Sequence, residues 1–211
     1  MGHRTVVTAV AASMVFLAAG CTDQKTGGTP SPAPQPSSSP SAPASQTPPF
    51  AGAPKVTNPL PSSVLSGSPC QALTAQQVQV NLGADVAGEP DQLPGIGQKC
   101  TWTNLKSGGQ VAVYFATAPG DGLSGDYANT RPKMPVWKVL PPIQGLPAVA
   151  YSDNGKPNPD FCAVAIGVTD TLSVDVLLNL SDQKSGKTDA CTVVPLTAND
   201  VVTTLKQKAG S

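Results

Sequence analysis

The clearest structural signal in this chain of 211 residues is FCAVAIGVTDTLSVDVLLNL, residues 161–180. In its second half, apolar residues stand at every second position, and most of the residues between them are polar. Such alternation is typical of a β-strand with one buried face. We therefore predict a β-hairpin of residues 161–168 and 171–180. The apolar side of its second strand consists of Leu172, Val174, Val176, Leu178 and Leu180, and the polar side of Thr171, Ser173, Asp175 and Asn179.

A second hairpin is predicted upstream of this one. Residues 101–104 and 110–117 are separated by the turn-forming sequence KSGG, residues 106–109, and this pattern favours two antiparallel strands. Two shorter β segments, residues 137–140 and 148–152, flank the sequence PPIQGLP. Its three prolines lack a backbone N–H, so we predict that no continuous central strand runs through it.

Helices are predicted on both sides of these strands. Thr74 is placed to cap one helix, and Gln77 completes a capping box three residues later. The sequence LTANDV near the carboxyl terminus repeats this design, and it predicts a helix that begins after Thr197, with Asp200 in the box position. Residues 121–131 are predicted to form a short bridging helix.

The resulting order of elements is α-β-β-α-β-β-β-α. Hairpins rather than crossovers connect the strands, which favours an antiparallel sheet with helices packed on it. We therefore predict an α+β domain over residues 70–211, with about five to six strands. About 140 residues is the usual length of one domain with its own core.

Four of the five cysteines lie in the predicted domain. An even number of cysteines indicates two disulfides if the domain is exported, as the signal-peptide pattern described next predicts, and four cysteines allow three pairings. We favour Cys70–Cys100 and Cys162–Cys191, because Cys70 and Cys191 each precede a predicted helix while the other two lie in predicted strands. Trp102 is expected to pack against a disulfide.

Residues 1–20 have the pattern of a lipoprotein signal peptide. A single positive charge at Arg4 precedes an uncharged, mostly apolar run that is too short to span a bilayer. The run ends in LAAGC, which resembles the bacterial lipobox, although Ala18 stands where Leu is usual. The alternative is an ordinary secretory signal with a chance cysteine. We predict that Cys21 is lipidated with acyl chains such as palmitate, since two or three chains anchor a protein stably.

The residues after Cys21 predict a tether. Residues 21–54 are rich in Pro, Ser and Ala, with too little apolar surface to offset the entropy lost on ordering, so we predict that they are disordered. Residues 55–69 are less repetitive and are expected to pack on the domain as an extended arm. These assignments place the protein on the extracytoplasmic face of the cell membrane, held there by its lipid anchor.

Several short motifs lie along residues 54–208. They are KVTNPL at residues 55–60, Pro69-Cys70, Leu73-Thr74, Cys100-Thr-Trp102, Cys162 and Cys191. Together they resemble the motifs of a known family of actinobacterial, often mycobacterial, lipoproteins that carry domain of unknown function 3558. The motifs are structural: cysteines, a helix cap and a core tryptophan. The resemblance implies a lipoprotein of the cell envelope and implies no catalytic residues.

The sequence contains no catalytic motif that we can assign. The only histidine, His3, lies in the predicted signal peptide, which argues against histidine-dependent catalysis and against a histidine metal site. We predict no cofactor and no metal, and the balanced charges do not favour nucleic acid as a partner. A hydrolase that uses a Ser and Lys pair or two loop carboxylates remains the alternative. The candidate carboxylates are Asp121, Asp126, Asp153 and Asp160.

Binding residues are suggested by one cluster around the proline-rich segment. Arg131, Trp137, Lys138 and Tyr151 combine cations with aromatic rings, as sites for carbohydrate or lipid headgroups do. The alternative is that both rings belong to the core and that the lysine is solvated. The function predicted from the sequence is a non-enzymatic binding module for an envelope lipid, glycan or protein; a purely structural surface protein is a further alternative.

Overall fold

The computed structural model describes residues 46–210. The predicted signal peptide, Cys21 and residues 21–45 of the predicted tether lie outside the described residues. Three α-helices are present in the described part: α1 (Ala75–Leu82), α2 (Leu123–Gly125) and α3 (Ala190–Ala209). The strands are β1 (Glu89–Leu93), β2 (Gly97–Asn104), β3 (Gly109–Ala116), β4 (Val136–Ile143), β5 (Leu146–Ser152), β6 (Phe161–Gly167) and β7 (Ser173–Asn179).

All of these strands belong to one sheet, and every neighbouring pair is antiparallel. The strand order is β1-β2-β3-β7-β6-β5-β4, so two meanders meet where β3 pairs with β7. This confirms the predicted α+β class with an antiparallel sheet. The sheet has seven strands rather than five to six. The strand that the sequence did not reveal is β1, an edge strand with the sequence EPDQL whose residues are largely exposed and therefore show no apolar alternation.

The hairpin that carried the strongest sequence signal is β6 and β7. It lies in the middle of the sheet, where Val164 pairs with Val176. Val174 and Val176 of β7 are fully buried against the helices, whereas β6 is buried on both faces. A position in the centre of the sheet explains why the β6 sequence is continuously apolar rather than alternating.

The main core lies between one face of the sheet and the helices α1 and α3. Helix α1 begins with the predicted capping box: the Thr74 hydroxyl accepts a bond from the Gln77 N–H at 3.2 Å, and the Gln77 side chain accepts one from the Thr74 N–H at 2.8 Å. Helix α3 crosses β6 and β7 and buries Val194, Val201 and Leu205.

The predicted start of the last helix was wrong. Helix α3 begins at Ala190, and its cap is Asp189, whose carboxylate accepts a bond from the Cys191 N–H at 2.8 Å. Thr197 is fully buried inside the helix and donates to the Asn81 side chain at 2.5 Å. The helix continues through Pro195 although proline removes one helical hydrogen bond, because the packing of its buried face outweighs that loss.

No continuous strand runs through the whole proline-rich segment, because the chain turns at residues 144–145 between β4 and β5, but both strands extend further into it than predicted. Strand β4 runs through Pro141 and Pro142 to Ile143, with a register shift after Leu140. Prolines are tolerated here because β4 is an edge strand, where an N–H can be lost on the solvent side.

The arm is part of the core. Val56, Leu60, Val64 and Leu65 are buried, and the arm contains a 3₁₀ turn at Ser62–Leu65 rather than being wholly extended. Contacts begin earlier still, within the segment predicted as tether. The Phe50 N–H donates to the Ser124 hydroxyl at 3.0 Å, so the chain is already held on the domain before residue 55.

Both favoured disulfides are confirmed. Cys70 and Cys100 join the 3₁₀ turn Pro69–Gln71 to β2, and Cys162 and Cys191 join β6 to the first turn of α3. Each bridge therefore links a helical element to a strand of the sheet on which that element packs. No helix among residues 46–210 has the length and apolar character needed to cross a membrane.

Candidate functional site

The candidate site lies on the face of the sheet opposite α3, which we call the outer face. The strand register places Tyr114, Asp175, Ala165 and Val149 in one row across β3, β7, β6 and β5. A second row contains Leu177, Ala163, Tyr151 and Trp137. Because side chains alternate along a strand, both rows point away from the core.

Residues 121–133 cross the outer face and form what we call the cover segment. It consists of α2, a π-helical turn at Asp126–Thr130 and a 3₁₀ turn at Arg131–Lys133. Two of its side chains, Leu123 and Tyr127, are buried in a small cluster with Val149 and Ala165 of the sheet. This cluster is separate from the main core, so the outer face has its own small apolar centre.

The start of the cover segment is held close to the rest of the domain. Gly122 has φ of 51°, and a Cβ at this position would lie 2.5 Å from the carbonyl oxygen of Asp170. Only glycine fits this conformation and this close approach without a shift of the backbone. The cover segment therefore starts from a fixed point beside the β6–β7 turn.

Three of the four residues of the predicted aromatic and cationic rim come together here. Trp137 stacks on Tyr151 with ring centroids 5.9 Å apart, and it meets Tyr127 edge-on at 5.2 Å. The guanidinium of Arg131 lies 5.8 Å from the centre of the Tyr127 ring. Lys138 is on the other side of the sheet, where its ammonium lies 3.5 Å from the carboxylate of Asp189. The Trp137 Nε1–H is buried without a partner among the described residues.

Beside the aromatic cluster lies a cleft of about 270 Å³ that is lined by carboxyl groups. Asp121 and Asp126 come from the cover segment, and Asp175 comes from β7. The Asp175 side chain keeps some accessible surface, but its Oδ1 atom is buried and has no hydrogen-bond partner among residues 46–210. The Asp126 carboxylate accepts a bond from the Thr130 hydroxyl at 3.4 Å.

Burial and mutual repulsion shift the proton affinities of these groups. Burial, with a smaller effect of the Asp121 charge, raises the pKa of Asp126 to about 6, although the Thr130 hydroxyl works in the opposite direction. Burial and the charge of Asp126 raise the pKa of Asp175 well above its ordinary range. The pKa of Tyr151 is also raised well above its usual value, first by burial and then by the charges of Asp175 and Asp126. The carboxyls of Asp126 and Asp175 therefore act as one interacting pair.

The other two candidate carboxylates lie elsewhere. Asp160 accepts a hydrogen bond from the Gly186 N–H at 2.9 Å, which fixes a loop contact, and Asp153 is exposed in the loop after β5. The sequence thus indicated two of the three carboxyls in the cleft and missed Asp175. Its alternation correctly placed Asp175 on the polar face of β7, but nothing local indicates that a cover segment buries it. Within residues 46–210, no group of three potential ligand side chains is arranged to hold a metal ion.

A second cleft, of about 320 Å³, lies at the end of the sheet near the carboxyl end of α1. Its lining mixes apolar and polar residues, and the buried Asn104 side chain is already satisfied by the Leu82 carbonyl at 3.0 Å. It contains no pair of interacting ionisable groups, so we regard the outer face as the better candidate. Residues that line this second cleft include Asn81, Leu178, Ser181, Lys184 and Val193.

Comparison with known families gives one match. The family model described as protein of unknown function (DUF3558) matches residues 16–204. The chain belongs to the DUF3558 family. No curated protein and no solved structure matches it. The DUF3558 match includes both disulfides, the outer face and the cover segment, so these features lie within the family domain rather than in an addition to it.

The carboxyl pair gives the DUF3558 domain a testable dependence on pH. The pKa of Asp126 is about 6 in the folded protein against 3.8 ordinarily, so the folded state binds this proton more tightly than the unfolded state. Its contribution to stability is complete below about pH 4 and is lost as the pH rises to about 6. Asp126→Asn removes the charge, and we expect it to raise the free energy of unfolding at pH 8 by roughly 1–3 kcal/mol.

Urea unfolding of the wild type and of Asp126→Asn at pH 4 and pH 8 measures this effect. At pH 4 the two proteins should differ by less than about 0.5 kcal/mol, the usual range for a mild substitution. Asp85→Asn, on an exposed loop, serves as the matched control and should follow the wild type at both values. An equal dependence on pH in all three proteins would show that Asp126 titrates normally.

Proposed function

We propose that this chain is a lipid-anchored lipoprotein of the actinobacterial cell envelope, and that its domain is a non-enzymatic module that binds an envelope glycan. The signal-peptide pattern of residues 1–20 and the LAAGC sequence support the anchor, and the resemblance described above supports the actinobacterial source. Envelope lipids and proteins are the other partners that the sequence allows. The outer face favours a glycan among the three.

The observation that carries this choice is a ladder of polar side chains beside one half-buried aromatic ring. On the part of the outer face that the cover segment leaves free, the Gln110 side-chain amide donates to the Thr103 hydroxyl at 3.0 Å. The Asn179 amide donates to Gln110 at 3.4 Å. Phe161 stands opposite Asn179 in the strand register, and all four side chains are half-buried. Planar amides next to an aromatic ring supply the hydrogen bonds and the flat apolar surface that a sugar ring uses.

This arrangement suits a lipid tail less well. An acyl chain needs a deep apolar cavity, because its affinity comes from apolar surface removed from water. The clefts beside the outer face and at the end of the sheet are lined partly by carboxyl, hydroxyl and amide groups. A hydroxyl-rich ligand can exchange hydrogen bonds with such groups, whereas a hydrocarbon leaves them unsatisfied.

Co-sedimentation with insoluble cell-wall polysaccharide tests the proposal. The chain starting at residue 22, which lacks the anchor, should sediment with the polysaccharide. Gln110→Ala combined with Asn179→Ala should weaken binding by about tenfold or more, since each lost hydrogen bond contributes about 1 kcal/mol. Gln76→Ala, on the exposed surface of α1, is the matched control and should bind as the wild type does. Equal binding by all variants, or no binding, would contradict a glycan site on the outer face.

A glycoside hydrolase is the second candidate, and one observation favours it. Asp126 and Asp175 line a single cleft, and the raised pKa of Asp126, about 6, is in the range of a general acid. Reducing sugar ends, measured in the supernatant of the co-sedimentation assay, separate the two functions. Release of reducing sugar ends that disappears in Asp126→Asn supports the hydrolase, whereas binding without release supports the non-enzymatic module.

A further inference from the structure

The cover segment is attached to the outer face mainly through residues 122–127. Leu123 and Tyr127 are its apolar anchors. Gly122 and Ser124 are also buried, and the Phe50 N–H donates to the Ser124 hydroxyl at 3.0 Å. The residues after Tyr127 are less buried, and those from Arg131 to Lys133 are exposed. Segments with few buried contacts open at a lower free energy than the core does. The cover segment therefore has the structural features of a part that can detach while the sheet and α3 stay folded.

One pair of carboxyl groups works against this attachment. Asp126 in the π-helical turn and Asp175 in β7 line the same cleft, one on each side of the boundary between cover segment and sheet. The Asp175 Oδ1 atom is buried without a hydrogen-bond donor among the described residues. The ion pairs Lys99–Asp91 and Lys138–Asp189 involve neither carboxyl. Two ionised carboxyls across one boundary repel each other, and a shared proton removes that repulsion.

The other ionisable groups around the pair do not neutralise it. Asp121 precedes α2 and adds a third negative charge to the cleft. Tyr114 on β3 stands opposite Asp175 in the strand register, and neither it nor Tyr151 on β5 supplies a positive charge. Two cations near the outer face lie over rings: Lys99 lies 5.8 Å from the centre of the Tyr114 ring and is paired with Asp91, and Arg131 lies 5.8 Å from the centre of the Tyr127 ring.

We propose that Asp126 and Asp175 form a proton-dependent latch, which holds the cover segment on the outer face when the pair keeps a proton and releases it when both carboxyls are ionised. Acidification closes the latch, and neutral or alkaline pH opens it. Opening uncovers the Trp137 and Tyr151 rings and gives the buried Trp137 Nε1–H access to water. The latch itself needs no ligand. Its effect on access to the outer face rests on the proposed function.

The direction of the change follows from the proton affinities. Burial, with a smaller effect of the Asp121 charge, raises the pKa of Asp126 to about 6. Burial and then the charge of Asp126 raise the pKa of Asp175 well above its ordinary range. In the detached state both groups face water, and their pKa values return towards the ordinary 3.8. The closed state therefore binds more protons, so the ratio of closed to open molecules falls as the pH rises. A difference of about two units in the pKa of one group between the closed and open states corresponds to a change of about a hundredfold in that ratio across the titration.

Hydrogen exchange measured by mass spectrometry on the ligand-free full chain in detergent tests the latch. Protection factors, corrected for the intrinsic effect of pH on exchange, are compared at pH 5 and pH 8. For residues 121–133 of the wild type, we expect protection to fall by about tenfold to a hundredfold at pH 8. For residues 198–205 of α3, protection should stay within about twofold, because the core does not open with the cover segment.

Two variants identify the groups responsible. Asp175→Asn keeps the shape of the side chain and removes its charge, so protection of the cover segment should be the same at both pH values. Asp126→Asn, on the cover segment, should give the same result. If one of the two variants folds poorly, the other still tests the latch. Asp85→Asn should behave as the wild type does. A fall in protection that persists in both Asn variants, or no fall in the wild type, would overturn the latch. Neither result depends on whether a glycan binds.

Discussion

Removal of the Cys162–Cys191 disulfide, with both residues changed to alanine, is expected to lower the free energy of unfolding by about 3–5 kcal/mol. The bridge joins the central strand β6 to the first turn of α3, and the two cysteines are 0% and 4% exposed. Without the bridge, the unfolded chain gains conformational entropy, because the two cysteines, which are 29 residues apart, are no longer held together. The alanine side chains also leave a gap in the core. For a domain of this size, the melting temperature should fall by roughly 10 °C.

The other disulfide provides a matched control for this experiment. Cys70 and Cys100 are 30 residues apart, so the chain-entropy effect of their bridge is nearly the same. That bridge holds a short 3₁₀ turn rather than the long helix α3. A difference in the free energy of unfolding between the two double variants therefore reports packing rather than loop closure. In denaturant unfolding, the variant without Cys162 and Cys191 should be the less stable. Unchanged unfolding of either variant would mean that its bridge contributes nothing to stability.

Replacement of Cys21 by alanine is expected to abolish retention of the protein at the membrane. The thiol is the group to which a diacylglycerol would be joined, and a protein without acyl chains has no stable hold on a bilayer. Cell fractionation followed by immunoblotting should find the variant in the medium or as a larger, unprocessed precursor. Because retention by two or three acyl chains is close to complete, the change should be nearly all-or-none.

Thr22→Ala is the matched control for Cys21→Ala. It alters the next residue but keeps the thiol, and membrane retention should be unchanged. Normal processing together with normal retention of the Cys21→Ala variant would refute the anchor. Such a result would leave the assignment of the α+β domain unchanged, because that assignment rests on residues 46–210.

Local patterns in the sequence predicted the parts of the fold that depend on local interactions. The β6–β7 hairpin follows from alternation, and the Thr74 cap follows from a hydrogen bond that spans three residues. The disulfide pairing was favoured because similar surroundings recur around each pair of cysteines. The hairpin and cap signals are strong because the residues that produce them are close in the chain. The cysteine signal is strong because only four cysteines have to be paired.

Features that depend on distant packing were missed. The start of α3 was placed too late because Thr197 has the residue type of a cap, yet its hydroxyl bonds to Asn81 of α1, which is 116 residues away. Strand β1 shows no alternation because it lies at an edge. Asp175 was assigned correctly to the polar side of its strand, but its burial results from the cover segment, a separate part of the chain. Local propensity carries no information about such partners.

The junction between β3 and β7 has a consequence for the order in which the two disulfides and the complete sheet form. Gln110 and Asn179 pair across it from positions far apart in the chain, whereas each disulfide closes within one meander or its adjoining helix. The two cysteines of each half are 30 and 29 residues apart, so each disulfide can form early. The pairing of β3 with β7, which joins the two halves, involves residues far apart in the chain and is slower. Oxidation errors that join one half to the other are disfavoured, because they require the longer loops to close first.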